Sequence, residues 1–192
     1  QFNFNKDAKY FQFDICDPQT RHMYRGIDYV FHLAAKSRIQ PSLENPKSYI
    51  NTNTFGTERV LKYAKEGGVK RVMYSSTSSA YGLANPIPLQ EDMKRDCLNP
   101  YSITKTAGED FCKMYSSLYG LDTVIFRYFN VYGERQPTKG QYAPVIGLFQ
   151  RQSAAGEPMT IVGDGQQTRD YTHVSDVVAA NVAAMEAPDV AG

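Results

Sequence analysis

Apolar positions along the chain come in short runs separated by helically spaced segments, and each run has its own period. Tyr10-Phe11-Gln12-Phe13-Asp14 alternates as a short strand does. Asp17-Pro18 suits the opening of a short helix through Tyr24. Tyr29-Val30-Phe31-His32-Leu33-Ala34-Ala35 is a continuous apolar run, as expected of a strand covered on both faces in a parallel sheet. A helix follows, with Pro46 near its first turn and Ile50, Phe55, Val60, Leu61 and Ala64 as apolar positions. Gly67-Gly68 ends it. The strand Val72-Met73-Tyr74 then leads into a hydroxyl run, Ser75 to Ser79. From Pro100 to Tyr119, Ile103, Ala107, Phe111, Met114, Tyr115 and Leu118 fall on one helical face, and Gly120 is a natural stop. Thr123 to Phe129 reads as another buried strand. Strand, helix, strand, helix, strand predicts an α/β fold with a doubly wound parallel sheet.

The pattern changes after Asn130. Gly133 to Tyr142 is polar and turn-rich, and Pro144 to Ala155 has helical character. Met159 to Val162 suggests a short strand before the Gly163-Asp164-Gly165 turn. Ser175 is placed to cap a last helix from Asp176 to Ala187. With 192 residues, 42% of them apolar, the chain can bury a sizeable core. Its net charge of +1 gives no electrostatic case for nucleic acid or membrane partners. No run reaches the length of a membrane span, and Gln1 to Lys6 has no signal pattern. Cys16, Cys97 and Cys112 are far apart and odd in number, so they read as free thiols of a reducing cytoplasm. Neither they nor His22, His32 and His173 have metal-ligand spacing.

Tyr101 and Lys105 stand four residues apart, which puts a phenol and an ammonium on one helical face. The hydroxyl run at Ser75 to Ser79 follows a buried strand, at the end of the sheet where α/β folds bind ligands. Such a pair occurs by chance on many helices, and serine runs are usually loops. Their conjunction, in this order and on these elements, is what points to chemistry.

Y-x-x-x-K after a strand ending in Ser75-Ser76-Thr77 resembles the active site of the short-chain dehydrogenase/reductases. Further segments resemble the extended, nucleotide-sugar-modifying branch: Phe31 to Ala35, Asn51-Thr52-Asn53 with Gly56-Thr57, Tyr81-Gly82, Arg127 to Gly133, and Thr168 to Val174. They run in the family's order along essentially the whole chain. The resemblance implies a Rossmann-type sheet, NAD as cofactor and a nucleotide sugar as substrate.

By this resemblance Tyr101 is the catalytic acid/base, Lys105 its electrostatic partner, and Thr77 the hydroxyl that bonds the reacting sugar oxygen. A phenol ordinarily titrates near 10, so acting as a base near neutrality requires about 4 kcal/mol of help from nearby positive charge. Asp14 and Ile15 match the pair that meets adenine, although Asp14 alone reads equally as a turn residue. Leu33, Ala34 and Ala35 match the backbone that passes beneath the cofactor, with Lys36 and Ser37 continuing the loop. Asn53, Ser75, Tyr128 and Phe129 complete the implied cofactor set. Asn130 and Arg169 match residues that hold the nucleotide diphosphate, for which a planar guanidinium fork is suited. Val145, Ile146, Thr160, Ile161 and Val162 match the lining of the uracil and ribose pocket, and read equally as core of a small domain.

The implied reaction is 4-epimerisation of a UDP-sugar through a 4-keto intermediate. Sugar 4,6-dehydratases of this branch carry Asp-Glu after the active-site Thr, and the decarboxylases usually carry Ser-Glu. Here Ser78-Ser79 follow Thr77, which favours epimerisation and leaves a reductase or a uronic-acid epimerase open. A non-catalytic dinucleotide-binding protein is the reading from another class, and the intact Tyr/Lys pair argues against it.

The family's Gly-rich turn, and the acidic position after it that separates NAD from NADP, do not occur in the sequence. They belong to a first strand-helix-strand unit expected before Gln1. In the family's strand order that unit lies between the strands at Tyr10 and Tyr29, so the 192 residues alone are expected to fold poorly and to be an inactive fragment. The expected organisation is a partial dinucleotide-binding domain over residues 1–135 and a partial substrate region over 136–192, with a helix at 174–187 returning to the first domain. A homodimer built on the helices at Pro46 to Lys65 and Pro100 to Tyr119 is also implied.

Overall fold

Three parallel strands organise the molecule, as seen in a computed structural model that describes residues 5–138, 144–188 and 190. In chain order, a 3-10 turn (Pro18–Tyr24) leads to strand β1 (Tyr29–His32) and helices α1 (Ile39–Glu44) and α2 (Pro46–Tyr49). A π-helical turn (Ile50–Phe55) runs on into α3 (Gly56–Gly67). Strand β2 (Arg71–Thr77), a 3-10 turn (Ser78–Tyr81), helix α4 (Pro100–Tyr119) and strand β3 (Asp122–Tyr128) follow. Strand β4 (Asn130–Tyr132), helix α5 (Val145–Ala154), strand β5 (Tyr171–His173) and helix α6 (Val174–Glu186) complete the described chain.

The sheet order is β1-β2-β3, and β4 pairs separately with β5, also in parallel. His32 pairs with Tyr74, and Thr77 pairs with Tyr128, so all three strands end at the same edge. Leu61, Ala64, Val72, Tyr74, Cys112, Tyr115 and Leu121 form the core on the α3/α4 face. Met73, Val124 and Ala184 form a smaller core under α6 on the other face. Arg71 ties α6 to the sheet: its guanidinium pairs with Asp122 and donates to the carbonyls of Ala184 and Ala187 at the helix end. No helix among the described residues is long and apolar enough to cross a membrane.

Helix α4 is the best-specified element. Asn99 accepts from the Ser102 amide at 2.9 Å, Ser102 Oγ accepts from the Asn99 amide at 3.3 Å, and Pro100 occupies the first turn. Gly120 ends the helix at φ +67°, where a side chain would be strained.

Several sequence expectations need correction. Tyr10 to Asp14 forms no strand. It does not pair with β1, whose one partner among the described residues is β2, and Phe11 is 63% exposed. Alternation alone cannot make a strand without a neighbour to take its backbone bonds. Met159 to Val162 is not a strand either, because the Thr160 amide and hydroxyl turn back onto the Gln152 side chain. The expected helix from Pro46 to Gly67 is interrupted by the π turn. The strand expected at Val72 to Tyr74 is longer: its pairing with β3 continues to Thr77, as the resemblance to a strand ending in Ser75-Ser76-Thr77 implies. His173, not Ser175, caps α6, its Nδ1 accepting from the Ser175 amide. The turn-rich reading of Gly133 to Tyr142 holds for Gly133 to Thr138, which carry no helix or strand, and its remainder lies outside the described residues.

Candidate active site

The loop leaving β1 is held from below by two buried side chains. Asn53, fully buried in the π turn, accepts from the Lys36 amide at 2.7 Å and donates to the Lys36 carbonyl at 2.9 Å. It also donates to Thr104 Oγ1 at 3.1 Å. The Tyr49 hydroxyl donates to the Ser37 carbonyl at 2.6 Å. Leu33, Ala34, Ala35, Lys36 and Ser37 are all exposed on this pinned loop, so small side chains and open backbone face outward. The Asn53 amide is fully engaged with protein atoms, and its influence on the site runs through the Lys36 backbone. Ile15 packs against Gly56, where a Cβ would come within 2.6 Å of Ile15 Cδ1, and Asp14 accepts from the Cys16 amide at 2.8 Å. Asp14 and Ile15 therefore border the same helical segment that carries Asn53.

Tyr101 and Lys105 sit at the start of α4, whose first turn is docked to α1 by a 3.2 Å bond from the Tyr101 amide to Ser42 Oγ. The Tyr101 ring stands edge-on to Tyr49, centroids 6.4 Å apart, beside the pinned loop. Lys105 turns inward. It is 2% exposed, and its ammonium lies 4.3 Å from the centroid of the Tyr74 ring on β2. Among the described residues no carboxylate pairs with it. Burial holds its pKa down to about 8, with Cys112 and Glu109 pulling weakly the other way. The adjoining His32 is buried, bonded to Thr57 Oγ1 at 2.9 Å, and pushed down to about 3 by burial and by the Lys105 charge.

Tyr74 and Ser76 face α4, so alternation turns Ser75 to the other side of β2. Thr77 is the last residue of the strand, and its oxygen accepts from the Ser79 amide at 3.1 Å. The Ser75 hydroxyl is buried with no partner among the described residues. Tyr128 accepts a bond from Asn181 on α6, and Phe129 stacks on Tyr81 at 6.3 Å.

Beyond β3, a cavity of about 470 Å³ is lined by Asn130, Val145, Ile146 and Arg169, together with Arg38 and Tyr171. The family resemblance implies one ligand, the nucleotide sugar, for the first four. Arg169 makes no ion pair among the described residues, and its one bond goes to the neighbouring Thr168 carbonyl. Asn130 is fixed by two bonds to the Asp170 carbonyl across the β4/β5 pair. Thr160, Ile161 and Val162 do not line this cavity, and Val162 is 76% exposed.

Some contributors have little sequence signal. Arg38 lines the cavity from a backbone at φ +89°, a conformation no pattern announces. Its position right after the Ala35-Lys36-Ser37 loop is the one available clue. Glu109 is another. Fully buried, it receives two bonds from Arg127 (3.0 and 2.7 Å) and one from Ser76, and pairs with Arg95 at 3.1 Å. It stands one helical turn beyond Lys105, and that spacing could have raised it.

Comparison with known proteins adds to this geometry. The sequence model described as the NAD dependent epimerase/dehydratase family matches residues 1–192. Over 179 residues the chain is 42% identical to a UDP-N-acetyl-alpha-D-glucosaminuronate decarboxylase of Bacillus cytotoxicus, covering 90% of this chain and 54% of that protein. The UDP-glucose 4-epimerase of Thermotoga maritima, solved with UDP-glucose, superposes with a TM-score of 0.90 at 35% identity. The match covers 95% of this chain and 60% of that one. The UDP-glucuronic acid 4-epimerase of Bacillus cereus, in complex with UDP-glucuronic acid and NAD, gives 0.86 at 33% identity, covering 98% and 59%. The chain spans about half the length of the curated relatives it matches, from 46% to 61%.

Proposed function

The chain belongs to the NAD dependent epimerase/dehydratase family, and from that premise we propose that the whole protein is a 4-epimerase of UDP-sugars. The observation that carries the reading is a buried Lys105 ammonium that no carboxylate among the described residues neutralises, one helical turn after Tyr101 on α4. A charge kept in that state favours the phenolate of a neighbouring tyrosine.

The residues present fit NAD. The pinned shelf at Leu33 to Ser37, the Asp14-Ile15 segment beside it, and the three unused donors of Lys105 would hold the cofactor. Bound there, NAD would supply the hydride acceptor and donor that oxidation and re-reduction of the sugar carbon require. Tyr101 takes the proton from the sugar hydroxyl and gives it back. Lys105 supports the phenolate, and Thr77 holds the reacting oxygen by a hydrogen bond. Arg169 and Arg38, with Asn130, bind the diphosphate, while Val145 and Ile146 flank the base and ribose.

A decarboxylating reading is favoured by the Bacillus cytotoxicus relative. Against it, Ser78 and Ser79 follow Thr77, so neither of those two positions offers a carboxylate as a further acid or base. Incubating the full-length protein with UDP-glucose, UDP-N-acetylglucosamine and UDP-glucuronate is the test. The expected product is the C4 epimer of at least one. A 4-keto-6-deoxy sugar or a pentose would overturn the assignment.

We further assign residues 1–135 to the dinucleotide-binding part and 136–192 to the substrate region, with the helix at 174–187 returning to the first. The packing of Ala184 on Met73 and Val124 supports that return. Exposed Ile50, Phe55, Ile103 and Leu118 support a homodimer through the helices at 46–65 and 100–119. Three free cysteines suit the cytoplasm.

A further inference from the structure

We propose that Tyr74 is a positioning residue for the Lys105 ammonium, carrying it on the ring face and fastening the same lysine by its backbone; the inference rests on the reading of Lys105 as the partner of Tyr101. The ammonium stands 4.3 Å from the Tyr74 centroid, close enough for attraction to the electron-rich face. The Tyr74 hydroxyl donates to the Lys105 carbonyl at 3.0 Å. One side chain thus meets both ends of Lys105.

Two neighbours fix the ring. His32, from β1, lies 5.6 Å away at 43° and is itself tied to Thr57. The strand pairing of His32 with Tyr74 sets that distance. Gly108 leaves the notch for the hydroxyl: a Cβ there would lie 2.1 Å from Tyr74 Oη and 2.6 Å from Cζ. A lysine has four rotatable side-chain bonds, and without such a platform its ammonium would be drawn towards water.

The groups facing the pair are His32 on β1, Thr57 on α3, and Tyr101, Glu109 and Cys112 on α4. His32 stays neutral, and Glu109 is occupied by Arg127 and Arg95. Burial raises Tyr74 itself, so it remains a phenol and does not compete with Tyr101 for the role of base. A residue that only filled space would need neither the ring face nor the carbonyl bond.

The test uses the full-length protein labelled with 13C at the lysine ε-carbons. The Lys105 signal, identified by its loss in Lys105→Met, is expected upfield through the ring current of Tyr74. It should stay there in Tyr74→Phe and return to the ordinary lysine position in Tyr74→Leu. In turnover, Tyr74→Phe should lower kcat about threefold. Tyr74→Leu should lower it about thirtyfold. KM for the nucleotide sugar should be unchanged, and the acid limb of the pH profile should move to higher pH in Tyr74→Leu only. An unshifted Lys105 signal in the unmutated protein overturns the inference even if Tyr74→Leu fails to fold. A folded Tyr74→Leu protein with an unmoved acid limb overturns it too. Full kcat in Lys105→Met would instead remove the catalytic reading, a failure visible separately from the resonance.

Discussion

Asn53 grips Lys36 by both backbone groups, accepting from its amide at 2.7 Å and donating to its carbonyl at 2.9 Å. This two-bond clamp mimics a strand pair where no strand continues. It fixes the loop after β1 while its residues stay exposed. Asn53→Asp keeps the acceptor but turns a carboxylate oxygen towards the Lys36 carbonyl and Thr104 Oγ1. The substitution is expected to cost about 2–3 kcal/mol of stability through the unmet carbonyl and the buried charge. NAD affinity, measured by calorimetry on the full-length protein, should fall with it.

How much of this was legible depended on whether local pattern or distant contact decides. The helix from Pro100 to Tyr119 was readable to the residue, because Asn99, Pro100 and Gly120 are local signals that the tertiary structure does not override. Tyr101 and Lys105 came with it, since helical spacing fixes their common face. The strand at Tyr10 was misread because its aromatic alternation has no neighbour to pair with among the described residues. The clamp of Asn53 on Lys36 and the bond from Ser42 to Tyr101 were invisible, because each joins residues far apart in sequence. The grouping of Asn130, Val145, Ile146 and Arg169 followed from family resemblance, and no periodicity would have assembled it.

Lys105 should trade stability for function. Its folded pKa of about 8 lies below the ordinary 10.5, so the unfolded chain binds more protons between those values. Stability from this group therefore rises as pH climbs from about 8 to 10.5, and the burial cost is fully present below 8. Lys105→Met is expected to gain about 2 kcal/mol at pH 7, after allowing for the lost attraction to Tyr74. Thermal melts should show a higher Tm beside abolished turnover. A lower Tm would mean that the ammonium has a partner beyond the described residues.

His32 predicts acid sensitivity. Held neutral down to about 3 against an ordinary 6.5, it stabilises the fold above 6.5 and progressively less as pH falls. Between pH 6.5 and 5 the expected loss is about 2 kcal/mol. His32→Gln can still bond Thr57 and does not titrate. Denaturant midpoints measured across that range should be nearly flat for the variant and sloped for the parent.

Glu109 holds the ends of β2 and β3 together through Ser76 and Arg127. Its burial opposes the charge, but bonds from Arg127 and Ser76 and the pull of Arg95 outweigh that, keeping the carboxyl below its usual range. Glu109→Gln leaves Arg127, whose side chain is only 14% exposed, without its counter-charge. A loss of about 3 kcal/mol is expected. Because Ser76 precedes Thr77, kcat should fall in the folded fraction as well, and Glu109→Asp should restore neither, since the shorter side chain cannot reach both arginine nitrogens.

Arg169 separates binding from folding. It is exposed, donates only to the adjacent Thr168 carbonyl, and lines the cavity shared by Asn130, Val145 and Ile146. Removing it leaves no buried partner unsatisfied, so Arg169→Ala should keep the parent's Tm. If its guanidinium binds the diphosphate, affinity for a UDP-sugar should drop by about 10- to 100-fold, the range of one or two charge-assisted bonds. Arg169→Lys keeps the charge but loses the planar fork, and should recover only part of that affinity. Isothermal titration of the full-length variants with UDP alone distinguishes the cases, because UDP carries the diphosphate without the sugar. Unchanged UDP affinity in Arg169→Ala would move the phosphate site away from this cavity, and with it the diphosphate role of Arg38, which lines the same cavity.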